Sequence, residues 1–161
     1  MTAADLPEVS QIGAAVHPAF PESDAVLDER FRLFPQGCRV AEGPEGVAVG
    51  YAVAHPARLF VPPALDTLLR QLPAEANCLY VHDVALLPAA RGGGLGRAIV
   101  DELTALARRT GLHCLALTAV NGSAAWWQRR GFLRLQPEPP ELIGKLRSYG
   151  ADAAYLVKPA G

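Results

Sequence analysis

The sequence predicts a single domain of the α/β (α+β) class built on a mixed sheet. Three observations predict it. Apolar residues recur at helical spacing early in the chain. Two apolar strand-like runs flank a glycine-rich turn and an amphipathic helix in the middle. Short strand-like runs return near the end. The 161 residues are 50% hydrophobic and 19% charged, enough for one sizeable core, and no linker, repeat or low-complexity tract divides residues 1–161.

The elements follow in order. From Leu6 to Val16, the apolar positions Val9, Ile12, Ala15 and Val16 sit on one helical face, and Pro18 and Pro21 break the helix. Ser23 or Asp24 caps a second helix through Val26, Leu27, Phe31 and Leu33, which Pro35-Gln36-Gly37 ends. Cys38 to Ala41 and Val47 to Ala54 read as a hairpin around Glu42-Gly43-Pro44-Glu45-Gly46. Pro56 to Pro63 is irregular, and Asp66 to Leu72 reads as a short helical turn. Leu79 to Leu86 is the clearest strand. Gly94 to Thr110 is the clearest helix, with Leu95, Ile99, Leu103 and Leu106 along one face and Gly111 just past its end. His113 to Val120 is a continuous apolar run, as a strand buried on both faces requires. Ser123 caps a short helix through Arg130. Phe132 to Leu135 and Ala153 to Val157 read as late strands separated by Pro137-Glu138-Pro139-Pro140.

Composition excludes several classes of function. The net charge is −1, so no basic excess points to nucleic acid, and any site for a polyanion has to be local. No apolar run approaches the ~20 residues of a membrane helix. The N-terminal residues lack the basic and apolar regions of a secretory signal. The expectation is a cytoplasmic protein without nucleic-acid or membrane partners. Cys38, Cys78 and Cys114 are odd in number and widely spaced; they read as small buried hydrophobes, with neither a disulfide framework nor a metal site.

The segment Arg91-Gly92-Gly93-Gly94-Leu95-Gly96 joins the clearest strand to the clearest helix. Glycines let the backbone turn with positive φ and approach a ligand closely. The start of a helix leaves N–H groups without intrahelical partners, and those donors together with the positive dipole end favour a phosphate. A P-loop needs Gly-Lys-Ser/Thr, which is missing. The dinucleotide fingerprint needs a further Gly or Ala, where Arg97 or Ile99 stands. What remains is Arg-x-x-Gly-x-Gly after a strand and a proline, Pro88.

That arrangement, from Leu79 through Gly96, then Ala119-Val120-Asn121-Gly122-Ser123 and Trp126-Trp127-Gln128-Arg129-Arg130-Gly131-Phe132, resembles the GNAT superfamily of N-acetyltransferases. The resemblance implies a mostly antiparallel central sheet flanked by helices, in which a splayed central strand pair forms the acyl-CoA cleft. It also implies acetyl-CoA as co-substrate, with no metal. Backbone groups of Val84, Ala85 and Leu86 would pair with the pantetheine arm. Arg91, Gly92, Gly93, Gly94, Leu95, Gly96 and Arg97 would hold the pyrophosphate. Asn121, Ser123, Trp127 and Arg130 would flank the rest of coenzyme A.

In a regular strand Tyr80, His82, Val84 and Leu86 face one side and Asp83 the other. His82 is then two residues from the backbone expected to hold the thioester. An ammonium acceptor must lose a proton before it attacks. A histidine of ordinary pKa, ~6.5, can take that proton at neutral pH, a gain of roughly 10²–10⁴-fold. A histidine hydrogen-bonded within the sheet is the competing reading. His82 resembles one of the paired histidines of arylalkylamine N-acetyltransferases, and Tyr80 stands where the other would be. Many members of the superfamily protonate the departing thiolate with a tyrosine on the short helix. Here Trp127 occupies that position, and indole offers no labile proton. Two readings stand: a thiol, of pKa ~8.5, leaves without a dedicated acid, or Tyr80 or Tyr149 substitutes. His82 and Tyr80 are the catalytic candidates.

His17-Pro18-Ala19-Phe20-Pro21-Glu22 lies where similar enzymes shape the acceptor pocket; Glu22 or Asp24 could attract an ammonium and Phe20 pack an aromatic. The expected reaction is acetyl transfer to the primary amine of a small molecule by direct attack in a ternary complex. A protein lysine or N-terminal acetyltransferase and a non-catalytic acyl-CoA sensor are the alternatives. Similar proteins suggest a homodimer.

Overall fold

The computed structural model describes the backbone of residues 1–161 and every side chain except that of Ser148. Five strands lie side by side in chain order: β1 (Cys38–Glu42), β2 (Ala48–Ala57), β3 (Cys78–Leu86), β4 (Cys114–Ala119) and β5 (Ala154–Pro159). β1–β2, β2–β3 and β4–β5 pair antiparallel; β3–β4 is the parallel pair. The helices are α1 (Leu6–Val16), α2 (Asp24–Leu33), α3 (Leu95–Arg109), α4 (Ala124–Gln128) and α5 (Pro140–Leu146). Among the described residues no helix is long and apolar enough to cross a membrane.

Two layers of helix sandwich the sheet. α3 buries Ile99, Val100, Leu103, Leu106 and Ala107 against Ala52, Ala54, Leu79 and Val81 of the sheet, with Trp127 and Phe132 completing that core. On the opposite face, Val9 and Ile12 of α1 pack on Tyr51, Val53 and Ala85, while Leu142 and Leu146 of α5 pack on Tyr80, Tyr155 and Val157. Each large side chain removed from water in this way contributes about 1.5–3 kcal/mol.

The parallel pair is short. Cys78, Leu79 and Tyr80 pair with Cys114, Leu115 and Ala116, and there the ladder ends. β3 continues to Leu86 and β4 to Ala119, so the two strands splay at their C-terminal ends.

The structure departs from the sequence expectations at five places. β2 runs to Ala57 through Pro56. β1 stops pairing at Val53, so that stretch of β2 is an edge, where proline is tolerated. Residues 66–72 form no helix: Asp66 and Arg70 take left-handed φ values of 51° and 68°. A buried ion pair on α2 ties this strap down by engaging two of its amides and a carbonyl. Phe132–Leu135 is no strand. Leu133 makes an isolated bridge with Val157, and Leu133 and Leu135 are exposed. The proline-rich segment reads as a loop in sequence, but Pro140 opens α5, since its fixed φ suits a first helical turn.

The fifth departure governs the site. Val53 pairs with Asp83, but Ala54 pairs with Val81, so His82 is the extra residue of a bulge in β3. The bulge shifts the side-chain alternation by one. Leu79, Val81, Val84 and Leu86 lie on the α3 face; Tyr80, His82, Asp83 and Ala85 lie on the other. The expectation that Val84 and Leu86 share a face with His82, and that Asp83 opposes it, is therefore overturned. Regular alternation requires unbroken pairing, and here it is interrupted.

Candidate active site

Two constructions meet at the splayed end of β3. The first is made of backbone. The Leu87 N–H donates to Val49 O at 2.9 Å, and Tyr51 faces Ala85 across the ladder. Peptide groups alternate between the two edges of a strand, so those of Val84 and Leu86 turn toward the edge that β4 has left. Arg91 Nε donates to Leu86 O at 3.0 Å, bending the following loop back over the strand end.

That loop delivers Gly92 and Gly94 at φ 86° and 89°, values that suit glycine. Gly94 is the N-cap of α3 and offers no side chain to its first turn. Among the described residues nothing accepts from the N–H groups of Gly93, Gly94, Leu95 or Gly96. Gly96 has a separate reason: a Cβ there would lie 2.6 Å from Trp126 Cζ2. Trp126 thus covers the first turn of α3, whereas Trp127 turns into the core against Phe132, with ring centroids 5.2 Å apart. The Arg130 guanidinium stacks 3.4 Å over the Trp126 ring. Its Nε is buried with no partner among the described residues. Burial first, and then the charges of Arg129 and Arg97, lower the Arg130 pKa, the signature of cations gathered at one place. Arg97 itself is exposed and reaches Asp101 at 3.7 Å. Asn121, at φ 53°, follows β4 on the far side of the splay. The Ser123 hydroxyl donates to Val120 O at 2.6 Å and serves the turn before α4.

The second construction is made of side chains. A cavity of about 270 Å³ opens beside β3, lined by the end of α1, the loop from His17 to Ser23, Leu27, and Tyr51, Val53, His82 and Asp83. The bulge brings the consecutive residues His82 and Asp83 into the same space. His82 Nε2 lies 2.8 Å from Glu22 Oε2. Asp83 accepts from the Tyr51 hydroxyl and lies 3.2 Å from His17 Nε2. Burial works against the charge on Asp83, but His17 and Tyr51 outweigh it and hold its carboxyl below the usual range.

A network that sequence reading missed supports Glu22. Its Oε1 accepts from the Asp66 N–H at 3.1 Å, and Asp66 in turn accepts from the N–H and hydroxyl of Ser23, both at 2.8 Å. The strap from Thr67 to Arg70 is tied to α2. Glu29 takes the N–H groups of Leu69 at 2.6 Å and Arg70 at 2.9 Å, and Arg30 donates to Thr67 O at 2.7 Å. Glu29 and Arg30 pair at 2.7 Å, with the Arg30 side chain fully buried. Burial alone would raise the Glu29 pKa, but the two amides and Arg30 lower it. Charged residues in a helix that reads as amphipathic gave no sign of this role.

Tyr80 lies outside the cavity lining. It is 3% exposed, donates to Thr118 Oγ1 at 3.0 Å, and burial pushes its pKa well up. Beneath His82, His55 is buried with its ring 5.8 Å away; burial, then the nearby His82, push its pKa down to about 3, so it stays neutral. Tyr149 donates to Pro63 O at 2.8 Å, so its hydroxyl is likewise committed.

No curated protein sequence matches the chain. Among solved structures, it resembles Ard1 from Thermoplasma volcanium with a TM-score of 0.73 at 16% identity, covering 99% of this chain and 93% of that one. It resembles the GNAT family N-acetyltransferase YhbS from Escherichia coli, solved in complex with CoA, with a TM-score of 0.62 at 20% identity over 100% of this chain and 79% of that one. It also resembles N-acetylglutamate synthase from Neisseria gonorrhoeae, solved with coenzyme A and N-acetyl-glutamate, with a TM-score of 0.73 at 19% identity. That alignment covers 99% of this chain, which spans about a third of that protein's length, 34%. A sequence model of the acetyltransferase (GNAT) family matches residues 8–132. The chain belongs to the acetyltransferase (GNAT) family and has the fold of an acetyl-CoA-dependent acyltransferase.

Proposed function

We propose that the chain moves an acetyl group from acetyl-CoA to the primary amine of a small-molecule acceptor, by direct attack in a ternary complex. The observation that carries this reading is the β3 bulge. It sets His82 and Asp83 into a side-chain cavity immediately beside a strand edge whose backbone is turned outward.

The residues fit the co-substrate. Four adjacent N–H groups from Gly93 to Gly96 at a helix start suit a diphosphate, and Arg91, Arg97 and Arg130 add positive charge around them. The buried Nε of Arg130 awaits an acceptor. Val84 and Leu86 would pair with the amide-bearing arm, and Ala85 sets their spacing, because its own peptide faces β2. Asn121 and Ser123 would border the arm from the β4 side. Trp126, rather than Trp127, would flank the nucleotide end. Acetyl-CoA supplies an acyl group activated as a thioester.

The cavity residues do the rest. Glu22 and Asp83 favour a cationic amine, and Phe20 with the flanking prolines supplies an apolar wall. Glu22 accepts from His82 Nε2–H, which selects the tautomer with Nδ1 as proton acceptor. His82 takes the proton of the acceptor ammonium. Of the outward N–H groups on this edge, one would pair with the arm and the other would stabilise developing negative charge on the acyl oxygen. Tyr80, outside the cavity, carries no proton in this scheme.

The test is an acceptor screen with acetyl-CoA, reading thiol release across small primary amines, with a peptide and lysate-protein arm read by mass spectrometry. Turnover on a small amine is the expected result. Turnover on protein amines alone, or tight acetyl-CoA binding with no turnover on any amine, overturns the reading.

A further inference from the structure

We infer that His17, held by Asp83, donates the proton that the departing thiolate of coenzyme A takes up. The inference rests on the acetyl-transfer reading above.

Geometry places His17 at the splay itself. It follows the last residue of α1, and its Nε2–H is shared between Asp83 Oδ1 and the Val84 carbonyl, each at 3.2 Å. Val84 O belongs to the strand edge that β4 has left. On the other side of the ring, Nδ1 lies 3.5 Å from the Asn121 amide nitrogen, at the end of β4. The imidazole therefore bridges the two diverging strands across the gap through which the thioester arm would run. Both acceptors on Nε2 fix that nitrogen as a donor, which leaves Nδ1 to exchange a proton. Unprotonated, Nδ1 accepts from the Asn121 amide N–H; protonated, it gives up that bond and donates into the gap.

The remaining candidates are committed elsewhere. Tyr51 donates to Asp83, Tyr80 to Thr118 and Tyr149 to Pro63 O, and Trp127 is packed in the core. The charged groups facing His17 are Asp83 on β3 and Arg91 on the loop, with the His82–Glu22 pair across the cavity. Burial disfavours the cation, but the hydrogen bond and charge of Asp83, helped by the Val84 carbonyl and opposed by Arg91, outweigh it and raise the His17 pKa. A raised pKa increases the protonated fraction of the ring. The ordinary values, ~6.5 for imidazole against ~8.5 for a thiol, set the direction of transfer from imidazolium to thiolate.

The step balances. The carbon–sulfur bond breaks and sulfur leaves with its electron pair. It takes the proton from Nδ1–H, and the acyl carbon keeps its new bond to nitrogen. His17 is left neutral and regains a proton from water. His82 returns the ammonium proton to water, and the nitrogen sheds its second proton to water as the tetrahedral adduct collapses to the amide. His17 takes one back, so one proton is released per turnover.

Two readouts test this. In the whole protein, NMR titration of the His17 ring should show a pKa above 6.5 that falls in Asp83→Asn, and addition of coenzyme A should shift the His17 ring signals. The donor must be protonated, so kcat should decline as pH rises through the His17 value. That alkaline limb should move to lower pH in Asp83→Asn. It should disappear in His17→Gln, whose plateau falls by about 10²-fold. A His17 ring untouched by coenzyme A, or an alkaline limb unchanged in His17→Gln, overturns the proposal; the first readout uses the parent protein and stands even if a variant does not fold. If Gly94→Asp leaves acetyl-CoA affinity unchanged, the cofactor site itself is misplaced; if affinity falls there while the limb persists in His17→Gln, the donor alone is wrong.

Discussion

The turn before α3 and the cavity beside β3 lie at the same splayed strand, yet they are made of different material. The turn offers amide hydrogens, and its side chains are mostly absent because it is mostly glycine. The cavity offers imidazoles and carboxylates gathered from α1, the following loop, β2 and β3. A backbone site needs only the right φ values in consecutive residues. A side-chain site needs several distant segments to arrive together. The two regions should therefore respond differently: changes at the cavity should act on turnover, and changes at the turn on cofactor affinity.

The largest expected effect is at His82. His82→Ala should lower kcat by roughly 10²–10⁴-fold, while acetyl-CoA affinity by titration calorimetry stays within about twofold. Equal activity of parent and variant from pH 6 to 9 would remove His82 from the mechanism.

The strap beneath Glu22 comes next. Arg30→Ala should cost about 3–5 kcal/mol in denaturant unfolding, because it leaves Glu29 buried without its cation. What folds should also turn over more slowly, since the strap carries Asp66 and Asp66 steadies Glu22. A variant of parental stability would show that the ion pair does not hold the strap.

At the turn, Gly94→Asp should weaken acetyl-CoA binding by about 10-fold or more. It adds a side chain at φ 89° and a negative charge at the turn proposed to take the diphosphate. Saturating kcat should survive. A fall in kcat with affinity intact would erase the distinction between the two regions.

The smallest effect sharpens the side-chain half. The Glu29 carboxyl is held below its ordinary 4.5, so its contribution to stability is present above that pH and lost as pH falls through the folded value. Glu29→Gln should be less stable than the parent at neutral pH, and the two unfolding curves should converge below pH 4.5. Parallel curves down to the acid transition would show that Glu29 does not titrate with folding.

The contrast also explains what could be read in advance. The glycine turn was legible because its chemistry is local: Gly92 to Gly96, a preceding strand and a following helix are contiguous in sequence. The helices α1, α2 and α3 were legible for the same reason, since apolar spacing and proline or glycine stops are local signals. His82 was legible as a residue but not in its surroundings, because the bulge depends on how β2 and β3 register. Trp126 was legible only as part of the segment that resembles the family, although a glycine in the first turn of α3 is the trace its close approach leaves. The strap from Asp66 to Arg70 was read as helical, and the buried Glu29–Arg30 pair overrides that propensity by claiming its amides and a carbonyl.

By itself the sequence determined the class of fold, the order of its main elements and the amide-rich turn, since each depends on residues within a few positions of one another. Tertiary structure alone decided the rest. One extra residue in β3 turned His82 and Asp83 to a single face, and His17 arrived there from the end of α1. Strand register and helix placement are set by the whole core, and no short stretch of sequence encodes them.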